Sequence, residues 1–167
     1  VNRLQSIFVA ASLLLCGAAL AQGPSATATL TVDKSVVTAG STVTGKISLT
    51  FPEGYHGYQN PPVGEFEIPV KVDLAKTSKF TLVKVNYPKG KPMTLQGETK
   101  ATAVYLDTIQ IPVTFKAPTK PGPGSIELSL NYQECNASTC LPPDTLNLVA
   151  KVTVKAAVKK TAKPKKQ

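Results

Sequence analysis

The apolar residues of this chain recur at every second position, and that period limits the available folds more than any other feature of the sequence. ATATLTV (26–32), TVTGKISLT (42–50), FTLVKV (80–85), VYLDTIQIPVTF (104–115), SIELSLNYQ (125–133) and TLNLVAKVTV (145–154) all alternate. That is the pattern of strands with one face buried. EFEIPVKVDL (65–74) alternates too, and Pro69, which has no N–H to give to a ladder, marks it as an edge strand or a bulge. No window carries the 3.6-residue period of a helix. Seven short strands punctuated by Gly, Pro and Ser predict an all-β fold, an immunoglobulin-like antiparallel β-sandwich. The antibody signature is missing, because the chain has no Trp and no cysteine pair spread across two sheets. Two segments resist the strand reading, FPEGYHGYQNPPVGE (51–65) and NYPKGKPMTLQGETK (86–100). Loops of that length in a compact domain are usually functional or floppy.

The first residues, VNRLQSIFVAASLLLCGAALAQ, place Arg3 ahead of an apolar run from Ile7 to Leu20, followed by the small-x-small site Ala19-Leu20-Ala21. This pattern predicts a signal peptide over 1–21, since a membrane span needs about 20 apolar residues and no cleavage site. Leu15 is bulky where a lipoprotein signal wants a small residue, so Cys16 is read as removed with the leader and not as a lipid anchor. Export to the periplasm or beyond then leaves one domain over 22–154 with two cysteines, Cys135 and Cys140, in a compartment where a disulfide persists.

The net charge of +9 suggests nucleic acid until it is placed along the chain. From Gln22 to Val154 there are 12 Lys against 10 acidic residues, whereas Lys155, Lys159, Lys160, Lys163, Lys165 and Lys166 crowd the end. The body is nearly neutral, and no nucleic-acid partner is expected. The stretch 155–167 has no large apolar residue and is expected to be a Lys-rich disordered tail, a solubilising end or a weak contact to an anionic surface.

Cys135 and Cys140 lie in YQECNASTCLPP (132–143), one ending an alternating run and the other leading into the last strand. They are expected to face each other across a hairpin with Asn136–Thr139 as its loop, where opposed residues have Cα separations of about 4.5–5.5 Å, within disulfide range. Closing so short a loop restrains the unfolded chain by only about 2.2 kcal/mol in the chain-entropy model, against roughly 4.7 kcal/mol for a hundred-residue loop. Spacing alone leaves a local clip and a reactive pair both open. Metal binding is the weaker reading, since two thiols and the single His56 fall short of four zinc ligands. No helix N-terminus is at hand to depress a thiol pKa, so the pair depends on a partner for activation.

YQECNASTCLPP resembles the active-site segment of the N-terminal domain of the thiol:disulfide interchange protein DsbD family. PEGYHGYQNPP (52–62) is similar to that family's Gly-aromatic-x-x-Tyr stretch, and LQGETKATAVYLDTIQIPV (95–113) carries its Gly, Tyr-x-Asp and apolar-Pro-Val elements in order. The resemblance covers about Ala26 to Val154. It implies a periplasmic immunoglobulin-like thiol:disulfide oxidoreductase or electron-carrier domain whose reactive group is the Cys135/Cys140 disulfide, with no other cofactor. Its implied partners are a membrane-embedded thiol:disulfide electron donor and oxidised periplasmic thioredoxin-like clients. The sequence contains neither the transmembrane nor the thioredoxin-like domain of the full-length family protein, so the donor is expected to be a separate chain. Cys140 would make the intermolecular bond and Cys135 would resolve it. Met93, Thr94 and Leu95 fall where the family's cap loop shields the disulfide, although no acidic residue stands just before Leu95. Tyr55 and Tyr58 occupy the place of the family's aromatics, or pack as ordinary half-buried loop residues. His56 could relay a proton, but a surface hydrogen bond is its expected role. The other class left open is a secreted binding or scaffold domain with an inert hairpin disulfide.

Overall fold

The computed structural model describes residues 25–157. The expected leader over 1–21 and most of the Lys-rich tail lie outside the described residues.

The alternating stretches pair into two four-stranded sheets. The first runs β1 (Thr27–Val32), β3 (Thr42–Thr50), β9 (Thr108–Lys116), β6 (Thr81–Val85). The second runs β2 (Val36–Thr38), β11 (Asp144–Lys155), β10 (Gly122–Tyr132), β5 (Lys71–Leu74). Registers match the apolar period: Ile47 opposes Ile111 across β3 and β9, and Leu128 opposes Leu148 across β10 and β11. Because side chains alternate along a strand, that register turns Val43, Ile47, Leu49, Ile111, Val113 and Phe115 of one sheet inward. They meet Ile126, Leu128, Leu130 and Val152 of the other in one buried core. The result is the expected all-β, immunoglobulin-like sandwich. One pairing departs from the antiparallel expectation, since β2 lies parallel to the end of β11.

Three sequence expectations are corrected. The stretch 104–115 is two strands, not one: β8 (Thr102–Tyr105) ends, Asp107 takes a left-handed φ of 56°, and β9 begins in a different sheet. Asp tolerates that conformation, and its local break is invisible to a period count. Of 65–74, only Lys71–Leu74 is strand; Pro69 makes a lone parallel bridge to Tyr58, and Phe66 and Ile68 ahead of it are exposed. The two long segments are not wholly loops. β4 (Gly57–Tyr58) and β7 (Lys91–Met93) flank β8 in a small third sheet, with Pro92 on its edge, where a missing N–H costs no ladder bond.

The third sheet and the Cys135–Cys140 segment lie where β10 hands over to β11, at the Tyr132–Asp144 end of that pair. Lys155 leaves from the opposite end, beyond Gly122 and roughly 33 Å away along the strands at about 3.3 Å per residue. Deleting residues 156–167 should therefore leave the folding midpoint and the reduction potential of the disulfide unchanged. A shifted potential in the truncated protein would place the tail at the cysteines.

Candidate functional site at the hairpin pole

β10 runs out at Tyr132 and the chain turns back through Asn136–Thr139. The Asn136 N–H donates to the Thr139 carbonyl at 2.9 Å, and the Asn136 Oδ1 accepts from the N–H groups of Ser138 and Thr139. Asn at the first position of a turn closes it with its own side chain, which is why so short a hairpin forms here. The Leu141 N–H donates to the Glu134 carbonyl at 2.8 Å, so the two backbone bonds flank the cysteines and do not join them. That is the more closely spaced kind of antiparallel pair. Cys135 and Cys140 are disulfide-bonded with a Cα separation of 3.9 Å, tighter than the expected range.

The two sulfur-bearing residues are unequal. Cys135 is 1% exposed, whereas Cys140 stands in solvent at the outer edge of the hairpin. On its inner side Cys135 exchanges both backbone hydrogen bonds with His56, each 2.9 Å long. The chain continues from His56 into β4, where Tyr58 pairs with Val104 of β8, and β8 pairs in turn with β7 through Met93 and Thr102. Tyr58, Val104 and Cys135 form a small buried cluster separate from the main core, with Met93, Leu95 and Leu106 packed against it.

Of the expected surroundings, Met93, Leu95, Tyr58 and His56 are thus brought together around Cys135. Thr94 faces solvent, and Tyr55 is half-buried outside the cluster. The expected surface role of His56 is overturned. Its side chain is 2% exposed, its Nε2 has no partner, and its ring stands edge-on to Tyr58 at 5.9 Å. The stretch 51–65 lacks strand alternation, and only the long-range pairing of residue 56 with residue 135 buries the imidazole.

Electrostatics follow burial. Desolvation lowers the His56 pKa, favouring the neutral imidazole. The Tyr58 phenol is pushed up, first by burial and then by the fields of Glu67 and Glu98. Glu134 escaped the sequence reading. It is 4% exposed, its Oε1 lacks a partner, and burial raises its pKa against a lowering hydrogen bond from the Ala26 backbone. Its carboxyl is thus held by the Ala26 backbone and lies in the field of Asp144. Its position next to Cys135 was the signal available. Among the described residues no group of three or more His, Cys, Asp or Glu side chains could hold a metal.

A groove of about 400 Å³ adjoins the cluster and is lined by Tyr58 and Leu95 together with Val63, Phe66, Glu67 and Glu98. Phe66 is 92% exposed and Val63 61%. Their loop is ordered by Glu67, whose Oε2 accepts from the Val63 N–H at 2.8 Å and whose Oε1 accepts from the Thr102 hydroxyl.

Leu95 is half-buried and belongs to the cluster around Cys135, not to the main core. Leu95→Gly should let small thiols reduce the disulfide several-fold faster while the thermal midpoint stays nearly the same. A large loss of stability with an unchanged reduction rate would assign Leu95 a purely structural part.

An all-β sandwich with a hairpin disulfide at one pole, one sulfur-bearing residue exposed and the other enclosed by aromatic and apolar side chains, defines the class: a small disulfide-bearing immunoglobulin-like domain. The family model described as thiol:disulfide interchange protein DsbD, N-terminal, matches residues 26–151, and the chain belongs to that family of thiol-disulfide interchange modules. Among solved structures, the chain is similar to the N-terminal periplasmic domain of ScsB from Proteus mirabilis at 15% identity and a TM-score of 0.54. That match covers 76% of this chain and 47% of the other. This chain therefore spans about half the length of that relative. The reduced DsbD N-terminal domain of Neisseria meningitidis is 18% identical, with 65% of this chain and 77% of that one covered and a TM-score of 0.44. A complex between the DsbD N-terminal and PilB N-terminal domains from the same organism is matched at 20% identity, with 73% and 80% covered and a TM-score of 0.42. No curated protein matches the chain.

Proposed function

We propose that this domain carries reducing equivalents in the periplasm, taking them from a membrane-embedded thiol:disulfide donor and passing them to oxidised thioredoxin-like clients. The observation that supports this most is the asymmetry of the pair, with Cys140 open to attack and Cys135 enclosed. A donor thiolate attacks the Cys140 sulfur; the new intermolecular S–S bond forms as the Cys135–Cys140 bond breaks, and the electron pair stays on Cys135, which takes up a proton. A second donor thiol attacks the mixed disulfide and frees Cys140. The reduced pair then runs the same chemistry outward: Cys140 thiolate attacks a client disulfide, and Cys135 resolves the mixed disulfide, leaving the client as a dithiol. The reactive group is the disulfide itself, with no further cofactor required.

The groove beside Leu95 supports a protein client. Leaving a Phe side chain in water forgoes about 1.5–3 kcal/mol, and here Glu67 holds the Phe66 loop in that exposed state. Glu65, Glu67 and Glu98 outnumber Lys100 on the groove lining, although the body of the chain is slightly positive. The face therefore suits a client that surrounds its own disulfide with apolar and basic side chains, and it disfavours an anionic bilayer. Phe66→Ala should slow exchange with an oxidised thioredoxin-like protein several-fold and leave exchange with a small aromatic disulfide unchanged. Equal rates with the protein client would remove the groove from the docking face, and no exchange by the unsubstituted protein with either oxidant would end the carrier reading.

A further inference from the structure

Resting on that carrier reading, the resolving step sets a problem that the fold answers. Cys135 is 1% exposed, so when it attacks the mixed disulfide on Cys140 its thiol proton has no direct route to bulk water. A thiol reacts as the thiolate, and burial among apolar groups opposes the charge. We propose that the His56 imidazole is the base that takes this proton, making Cys135 a competent resolving nucleophile.

The argument rests on placement. His56 and Cys135 are directly opposed residues that exchange both backbone bonds. Such pairs have Cα atoms about 5.5 Å apart and side chains on the same face of the sheet. The imidazole is 2% exposed and its Nε2 is free of any hydrogen-bond partner, a costly state for a buried polar atom unless it has a use. Around it stand Tyr58, edge-on at 5.9 Å, Tyr55 in the preceding turn, and Cys140 across the hairpin, while the Glu134 carboxyl is engaged by the Ala26 backbone. The Tyr105 hydroxyl, on β8 opposite Gly57, is engaged by the Pro88 carbonyl. Burial lowers the imidazole's pKa and so favours the neutral form that can accept a proton.

The step balances. The Cys135 S–H gives its proton to His56 Nε2 as the Cys135 sulfur bonds to the Cys140 sulfur; the Cys140–client S–S bond breaks, and its electron pair leaves on the client sulfur as a thiolate. The imidazolium then returns the proton to that thiolate or to water.

The test uses the reduced full chain and an aromatic disulfide whose thiolate is coloured on release. The first equivalent reports attack by Cys140, and the second reports resolution by Cys135. His56→Gln should leave the first phase unchanged and slow the second by about tenfold or more at neutral pH, where losing a general base ordinarily costs about 10²–10⁴-fold. The second phase of the unsubstituted protein should also show an inflection from the imidazole that the variant lacks. A second measurement is independent of the variant's folding: the His56 ring proton shifts, followed against pH by NMR in the unsubstituted protein, should titrate differently in the oxidised and reduced forms. Identical second phases in the two proteins, or identical His56 titrations in the two redox forms, would overturn the role. If the unsubstituted protein releases no second equivalent, the carrier reading falls along with it, whereas a normal second phase shared by His56→Gln sinks the role of His56 alone.

Discussion

Cys135→Ser should become covalently captured on its clients, and Cys140→Ser should capture nothing. With Cys135 replaced, Cys140 still attacks from its exposed position, but no neighbouring thiol is left to resolve the mixed disulfide. With Cys140 replaced, the remaining thiol is 1% exposed behind the cluster of Tyr58, Val104, Met93 and Leu95, where a protein disulfide cannot approach it. The contrast should be all-or-none when adducts are separated under non-reducing conditions after acid quenching. Capture by Cys140→Ser and not by Cys135→Ser would reverse the assignment of roles.

Gly57→Ala should destabilise the fold by about 1–3 kcal/mol, the usual cost of forcing a methyl group into a filled core. A Cβ at Gly57 would lie 2.5 Å from Phe51 Cζ and 2.9 Å from Cε1. The Phe51 ring cannot simply swing away, because it is 3% exposed and packs edge-on against Tyr132 at 6.3 Å. Gly57 also lies between His56 and Tyr58, so relief by backbone movement would disturb the pairing of His56 with Cys135. The substitution should therefore lower the denaturation midpoint and alter the rate at which small thiols reduce the disulfide. A change in unfolding free energy below about 0.5 kcal/mol, the scale of an ordinary surface substitution, would show that the ring has room to move.

Long alternating strands were legible because their period is repeated often enough to fix both type and inward face. The expected 42–50 matches β3 at both ends, and 145–154 matches β11 to within one residue at each end. What escaped was short or non-local. β4 has two residues and β7 three, too few to carry a period. The parallel docking of β2 on β11 joins segments more than a hundred residues apart in sequence. Phe66 and Ile68 alternate like core residues, yet they lie ahead of the strand that begins at Lys71 and stand exposed. At the site, the spacing of Cys135 and Cys140 predicted their hairpin, and the family resemblance pointed to Met93 and Leu95. His56 was placed at the surface because nothing local shows that residue 56 is the strand partner of residue 135. Glu134 gives no local sign of its burial, because a carboxylate beside a hairpin turn is ordinarily solvent-exposed.

The equilibrium reduction potential of Cys135–Cys140 tests most directly whether the disulfide is exchanged in use or holds the hairpin shut. Inert structural disulfides of exported proteins lie below about −300 mV, and exchange-active ones are more oxidising. Titrated against a thiol–disulfide redox buffer of known potential, with the reduced fraction read by thiol alkylation, this disulfide should come to equilibrium above about −300 mV. A value well below that would make the hairpin a clip, and the domain a scaffold and not a carrier.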